Sequence, residues 1–301
     1  MLKHIIKSIV IYLIIIIFII FLYNYSNIFI FTNNYNHKSL KCNHYKFKSD
    51  EEYNKRTTEY NKDGYMKDKL SDEMNNNWKV KANKIKNIEI QYILNELKDH
   101  IKKPLKNAET INNIHNISVV TMFRFEDDYL DEFLHYYIMH GITHFYLYSN
   151  KNKENTKKIL QQYIDKGYVT LIDWNDHPND NRKKWNDYQE VSIQNLAFLD
   201  FNKNYKNQTK WIIKVDIDEL IYSGDKSKIK DILDNTSEIY IEVPRTDFGS
   251  SNHINKPDGL VLENYTRSEE SSSNIKSIAL TKYISDKDYG DPHSFIMLEN
   301  N

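Results

Sequence analysis

The chain has 301 residues, 41 of them basic and 42 acidic, for a formal net charge of −1. That length allows one or two domains with a sizeable core, and the charge balance excludes a global attraction to nucleic acid. The single cysteine, Cys42, excludes an intrachain disulfide and every cysteine-based metal motif, leaving either an inert thiol or a link between two chains.

In chain order, a tail at 1–7 carries Lys3 and Lys7, and 8–31 then runs without a charge. A helix needs about 20 apolar residues to cross a bilayer. No small-residue cleavage site follows, and no alanine occurs before Ala82, so the run predicts a retained signal anchor. The positive-inside rule places the tail in the cytosol and the rest in a lumen or outside. The expectation is a single-pass type II membrane protein of the secretory pathway (ER or Golgi) or of a viral or host membrane. Residues 32–115 read as a stem, polar and rich in Asn, Lys, Asp, Glu and Tyr as far as about 76. A helix follows near 84–103, with Ile90, Ile93, Leu94, Leu97 and Ile101 at helical spacing and Pro104 as its stop. That stripe suits packing on the next domain or pairing with a second chain, a homodimer through the stem.

From 116 to 301 a domain is expected. Strands are predicted at 117–123, 144–149, 168–174, within 210–222 with Asp216 and Asp218 at the strand end, and at 238–243. Helices are predicted at 129–140, 156–164 and 188–201, the first stopped by Gly141 and the second by Gly167. This alternation argues for an α/β fold with a mostly parallel sheet, whose ligands bind at the carboxyl ends of the strands. Trp174 and Trp211 read as core residues. Asn-x-Ser/Thr sequons at Asn24, Asn116, Asn207, Asn235 and Asn264 make a glycoprotein plausible in a lumen, though in a chain so rich in Asn they carry little weight.

The stretch 210–222, KWIIKVDIDELIY, holds the chemistry. In an extended strand Asp216 and Asp218 point the same way. Like charges that close repel, and an ion resolves the conflict. The other reading is a polar strand end on a turn. A hard cation held by one or two carboxylates with positions left for phosphate oxygens suits Mn²⁺ or Mg²⁺, and it stabilises a diphosphate leaving group.

The blocks around this motif resemble the family 92 glycosyltransferases, formerly a domain of unknown function, over about 119 to 293. The blocks are Phe123-Arg-Phe-Glu126 with Tyr129, Leu130 and Glu132; Gly141-Ile-Thr-His-Phe-Tyr-Leu-Tyr148 with Asn150; and Tyr163, Gly167, Val169 and Trp174. They continue with Gln189, Trp211 with Asp216-Ile-Asp-Glu219, Phe248-Gly-Ser-Ser-Asn-His253, and Lys276-Ser-Ile278. Asn is usual in the family where Phe125 stands, His where Tyr137 stands, Asp where Ser149 stands and Gly where Asn252 stands.

The resemblance implies a GT-A fold (Rossmann-like) and transfer of a sugar, galactose suggested, from a UDP-sugar to a glycan or glycoprotein, with inversion. It implies that Asp216 and Asp218 meet the metal and the diphosphate, with His293 as a further metal ligand. Thr121, Arg124, Glu126, Asn150, Gln189 and Glu219 would bind the nucleotide sugar, Glu219 by supporting the site. Asp247 is the candidate base, with Glu269 and Glu270 as rivals. The plain alternatives are an exposed His293, an Arg124 in a surface ion pair with Glu126 or Asp127, and an Asp247 that caps its turn. The competing function is a catalytically silent, membrane-anchored protein that binds glycans or a partner.

Overall fold

The strands and helices expected after residue 116 form, and a strand and a helix from the expected stem join them. The structure is a computed structural model that describes residues 40–45, 48–62, 77, 79–151, 155–175, 192–270, 274–286, 288 and 290–298. The anchor expected over 8–31, Gln189, and residues 188–191 of the helix expected over 188–201 lie outside the described residues. Among the described residues no helix is long and apolar enough to cross a membrane.

The elements run β1 (Leu40–His44), α1 (Asp50–Lys62), β2 (Ile85–Lys86), α2 (Leu94–Ile101), β3 (His115–Phe123), α3 (Leu130–Met139), β4 (His144–Ser149), α4 (Asn155–Asp165) and β5 (Val169–Asp173). Then come α5 (Ile193–Asn204), β6 (Thr209–Lys214), β7 (Glu219–Ser223), α6 (Ile229–Asn235), β8 (Tyr240–Asp247), α7 (Val261–Asn264), β9 (Arg267–Ser268) and β10 (Ile275–Leu280). Eight strands make one sheet in the order β5-β4-β3-β6-β10-β8-β1-β7, and β2 pairs with β9. The β5 to β6 half is parallel. Beyond it β10 runs antiparallel to β6 and β8, β1 runs parallel to β8, and β7 antiparallel to β1. The fold is therefore α/β, and its sheet is mixed in the half that the strand pattern left short.

β3 and β4 are buried on both faces, as central parallel strands are. Val119 and Phe145 share one apolar cluster with Leu130, Phe133, Leu134 and Tyr137 of the α3 region. Val120 and Tyr146 share another with Ala197, Phe198 and Phe201 of α5. Each such side chain contributes about 1.5–3 kcal/mol when fully buried. Trp211 lies in the first cluster and is a core residue as expected, whereas Trp174 is partly buried and packs against the second. The helix predicted near 84–103 appears as a 3₁₀ turn, Glu89–Ile93, followed by α2. Its buried face, Ile90, Ile93 and Leu97, belongs to the domain core, so the stripe packs on the domain.

The largest departure is at 40–62. Leu40-Lys-Cys-Asn-His44 alternates apolar and polar residues and forms a strand inside the sheet, between β8 and β7, with His44 opposite both Asp247 and Glu219. Cys42 is fully buried there, and burial, reinforced by the Glu219 carboxylate, pushes its thiol up. It is the inert thiol of the two options. α1 begins with a capping box. The Ser49 hydroxyl accepts from the Glu52 backbone N–H at 3.3 Å, and Glu52 Oε2 accepts from the Ser49 backbone N–H at 3.1 Å. Residues 40–62 are thus part of the folded domain and not of a polar stem.

Two positions where the chain departs from the family pattern have left-handed backbones, Phe125 at φ 59° and Asn252 at φ 70°. Asparagine tolerates this conformation, whereas an ordinary side chain costs about 1–2 kcal/mol there. The strain at Phe125 is offset in part by the Arg124 guanidinium 5.2 Å above its ring. Phe125→Asn is expected to stabilise the domain by roughly 1 kcal/mol. That corresponds to a melting temperature about 2–4 °C higher, and calorimetry of the two proteins side by side is the check.

Candidate active site

The Asp-x-Asp motif does not lie in a strand. β6 ends at Lys214, and Asp216 to Glu219 form a turn closed by the Glu219 N–H donating to the Asp216 carbonyl at 3.0 Å. The turn sends the two carboxylates to different partners, so the one-face arrangement expected of a strand does not hold.

Asp216 Oδ1 accepts from Gln194 Nε2 at 2.8 Å, and its Oδ2 lies 3.0 Å from Lys276 Nζ. Glu219 has no exposed surface. It holds Lys276 at 2.8 Å, Arg245 at 3.4 Å, and the Asp216 backbone N–H at 2.8 Å. Burial works against charge on Lys276, but Asp216 and Glu219 outweigh it and push the ammonium above its usual range. Glu219 therefore fixes the turn, which is the supporting role expected of it.

Asp218 is buried and its carboxylate faces cations. His44 Nε2 is 3.6 Å from Oδ1, while Arg56 Nη1 and Lys48 Nζ are 3.6 and 3.9 Å from Oδ2. Burial alone raises its pKa. His44, Lys48, Arg56 and Lys276 overcome that and hold the carboxyl well below the usual carboxylate range.

Thr121, at the end of β3, and Asn150, just after β4, are fully buried. Asn150 Nδ2 donates to the Trp174 carbonyl at 2.8 Å. The Thr121 hydroxyl oxygen, Asn150 Oδ1 and Glu126 Oε1 have no hydrogen-bond partner. Arg124 is buried, not the surface residue that the plain alternative required. Burial lifts the Glu126 carboxyl to about 7, against the pull of Arg56, whose Nη1 lies 3.5 Å away, and with help from Asp218.

These groups gather at the carboxyl ends of the parallel strands, on an α/β sheet, and residues 115–290 match the model of Glycosyltransferase family 92. The chain belongs to glycosyltransferase family 92. No curated protein and no solved structure matches it.

In this family 92 glycosyltransferase the remaining expected site residues are placed as follows. His293 is half-buried, its Nδ1 without a hydrogen-bond partner. Burial first, then Lys276 and Arg245, push its pKa down. Its segment is pinned by Lys214 Nζ, which donates to the Asp291 and Ser294 carbonyls at 2.9 and 2.8 Å. Asp247, at the end of β8, pairs with His44 Nδ1 at 2.8 Å and with Arg245 Nε at 3.3 Å. Its backbone N–H donates to Glu269 Oε1 at 3.1 Å. Glu269 is buried and pairs with Lys81, whereas Glu270 is exposed and pairs with Lys84.

Sequence reasoning missed His44, Lys48, Arg56 and Gln194, and gave Lys276 no role. The capping pattern Ser49-Asp-Glu-Glu52 is a local signal that could have marked α1. Gln194 lies five positions beyond the glutamine that the family pattern singled out.

A divalent ion fits this site in one way. Among the described residues no group of three or more His, Cys, Asp or Glu side chains is placed to hold a metal, and both Asp216 oxygens are taken. Asp218 has its nearest cationic atoms at 3.6–3.9 Å, beyond direct hydrogen-bond reach. The residues fit an ion on one carboxylate completed by oxygens of a ligand, not one caged by protein.

Glu126 supplies a pH test. The folded state keeps a proton up to about pH 7 that the unfolded chain releases near the ordinary value of 4.5. Stability must therefore fall as pH rises through that window. Glu126→Gln is expected to remove this slope, gaining roughly 1–3 kcal/mol on the wild type between about pH 5 and pH 8. Urea denaturation across that range checks it. Parallel curves for the two proteins refute the placement of Glu126.

Proposed function

We propose that this glycosyltransferase transfers a sugar, with galactose the first to test, from a UDP-sugar to a glycan or glycoprotein, with inversion at the anomeric carbon. The observation that carries the donor reading is the set of buried oxygens on Thr121, Asn150 and Glu126 that have no hydrogen-bond partner, Glu126 facing Arg56 at 3.5 Å. Buried polar atoms are nearly always satisfied, and a polar ligand seated at these strand ends satisfies them. The sheet order and the site's place at the carboxyl ends of parallel strands support a GT-A arrangement.

Mn²⁺ or Mg²⁺ would be held by Asp218, with His293 the other side chain expected to reach it, and would neutralise the leaving diphosphate when bound. The chain's own residues do the rest. Glu219, Lys276 and Gln194 fix the turn that carries Asp218. Asp247, at the end of β8, is the candidate to take the acceptor hydroxyl's proton. The apolar run at 8–31 supports attachment to a membrane with the domain in a lumen, where a glycan acceptor would be met.

The test is nucleoside diphosphate release by the full chain in detergent, over a panel of UDP- and GDP-sugars, with Mn²⁺ or EDTA. Consumption of one UDP-sugar with Mn²⁺ and not with EDTA is the expected result. No release from any donor with any acceptor glycan would sink the reading and favour a binding protein.

A further inference from the structure

Four of the five Asn-x-Ser/Thr sequons, at Asn116, Asn207, Asn235 and Asn264, lie among the described residues, and the fold treats them differently. Asn207 is exposed in the 3₁₀ turn Lys206–Gln208 that leads into β6. Asn235 is exposed at the last position of α6, ahead of β8. β6 and β8 both run antiparallel to β10, so they are parallel to each other, and both asparagines stand at the amino ends. The carboxyl ends of the same two strands lead to the Asp216–Glu219 turn and to Asp247. A strand length, about 20 Å, therefore separates Asn207 and Asn235 from the site.

The amide hydrogens divide the sequons further. A side-chain amide has two N–H donors, and an asparagine that carries a glycan keeps only one of them. Asn235 spends one, donating to the Asp231 carbonyl at 2.7 Å, and can keep that bond when glycosylated. Asn264 spends two, on the Asp258 and Leu260 carbonyls, each at 2.9 Å, so a sugar there breaks one. Asn264 is also half-buried, and its helix begins at Val261, which lines a cavity together with Asp218. Asn116 is half-buried in β3, with its amide on Asp234 at 3.2 Å and the fully buried Ile117 and Ser118 next in the chain. A glycan is bulky and hydrophilic and needs a root at the surface, which Asn207 and Asn235 offer. Neither has proline at the middle position of its sequon, where Gln208 and Thr236 stand.

We propose that Asn207 and Asn235 are N-glycosylated and that Asn116 and Asn264 are left bare, so that the sugars cover the edge of the sheet opposite the site. The proposal rests on the lumenal reading above. In the transfer the asparagine amide nitrogen bonds to the anomeric carbon of an oligosaccharide carried on a lipid diphosphate. The bond from that carbon to the diphosphate oxygen breaks, and the amide gives up one proton. The lipid-linked donor and the enzyme that uses it are supplied by the secretory pathway, not by this chain.

The test is expression of the full chain in cultured animal cells. Peptide N-glycosidase treatment in heavy-oxygen water, followed by peptide mass spectrometry, marks each asparagine that carried a glycan. Label at Asn207 and Asn235, and none at Asn116 or Asn264, is the expected result. Asn207→Gln and Asn235→Gln should each remove one step of gel mobility, and the double variant both. Protease added to sealed microsomes from the same cells separates the two readings. A protected domain that lacks label at Asn207 or Asn235, or carries it at Asn116 or Asn264, overturns the proposal and spares the lumenal reading. A domain that the protease digests without detergent overturns both.

Discussion

Lys276→Met is expected to cost about 3–5 kcal/mol, the usual penalty for removing one partner of a buried ion pair. Lys276 and Glu219 are both fully buried, and Asp216 depends on the same ammonium. Without it, two carboxylates face each other across the turn with Arg245, Gln194 and the Asp216 backbone N–H left to hold them. A loss of that size shifts the melting temperature downward by roughly 10 °C. The cycle completed with Glu219→Gln isolates the pair, because neutralising Glu219 removes much of what Lys276 compensates. The double variant should therefore lose less than the sum of the two single variants. Denaturation of all four proteins decides it, and additive losses would show that Lys276 and Glu219 do not interact as placed.

Asp218→Asn is expected to reduce donor turnover at least about a hundredfold, with the sheet and the turn intact. The turn depends on backbone groups and on Glu219, and none of its hydrogen bonds uses the Asp218 carboxylate. Stability supplies a second readout with a definite sign. The folded carboxyl is held below its unfolded value, so its contribution is present above about pH 4 and is lost as pH falls through the folded range. The wild type should exceed Asp218→Asn in stability near neutral pH and converge with it in acid. Turnover that survives the substitution would remove Asp218 from the chemistry.

What the sequence showed and what it hid divide along physical lines. The parallel strands and the helices between them were legible because both faces of β3 and β4 are buried, which requires unbroken apolar runs, and because Gly141 and Gly167 adopt positive φ at the helix ends. The Asp216/Asp218 pair was legible as a site but not as a geometry. Alternation in a strand places both carboxylates on one face, and the turn after Lys214 cancels it. β1 was hidden because five residues with only Leu40 and Cys42 as apolar members give too short a signal in a polar stretch. Its pairing is decided by β7 and β8, which come nearly two hundred residues later. Lys48, just before α1, and Arg56, on it, were invisible for the same reason: nothing local to either points to Asp218. Tyr137 shows the reverse case. Its identity departs from the family pattern, yet its hydroxyl donates to the Glu219 carbonyl at 2.9 Å and accepts from the Ile221 N–H at 3.1 Å, a structural role that the departure alone did not reveal.

The place of β1 between β7 and β8 also sets an order of events during synthesis. Residues 40–44 leave the ribosome among the first, but their neighbours, 219–223 and 240–247, follow only after most of the chain has been made. At about 5–20 residues per second the strand waits roughly ten seconds or more for its partners, with its hydrogen-bonding groups open to any other extended chain. Such distant pairing makes closure of the sheet slow. A nascent chain of this protein is therefore most vulnerable to misassembly and to chaperone capture just before residue 247 emerges, and a protein shortened to begin after residue 44 would expose two strand edges in place of one closed seam.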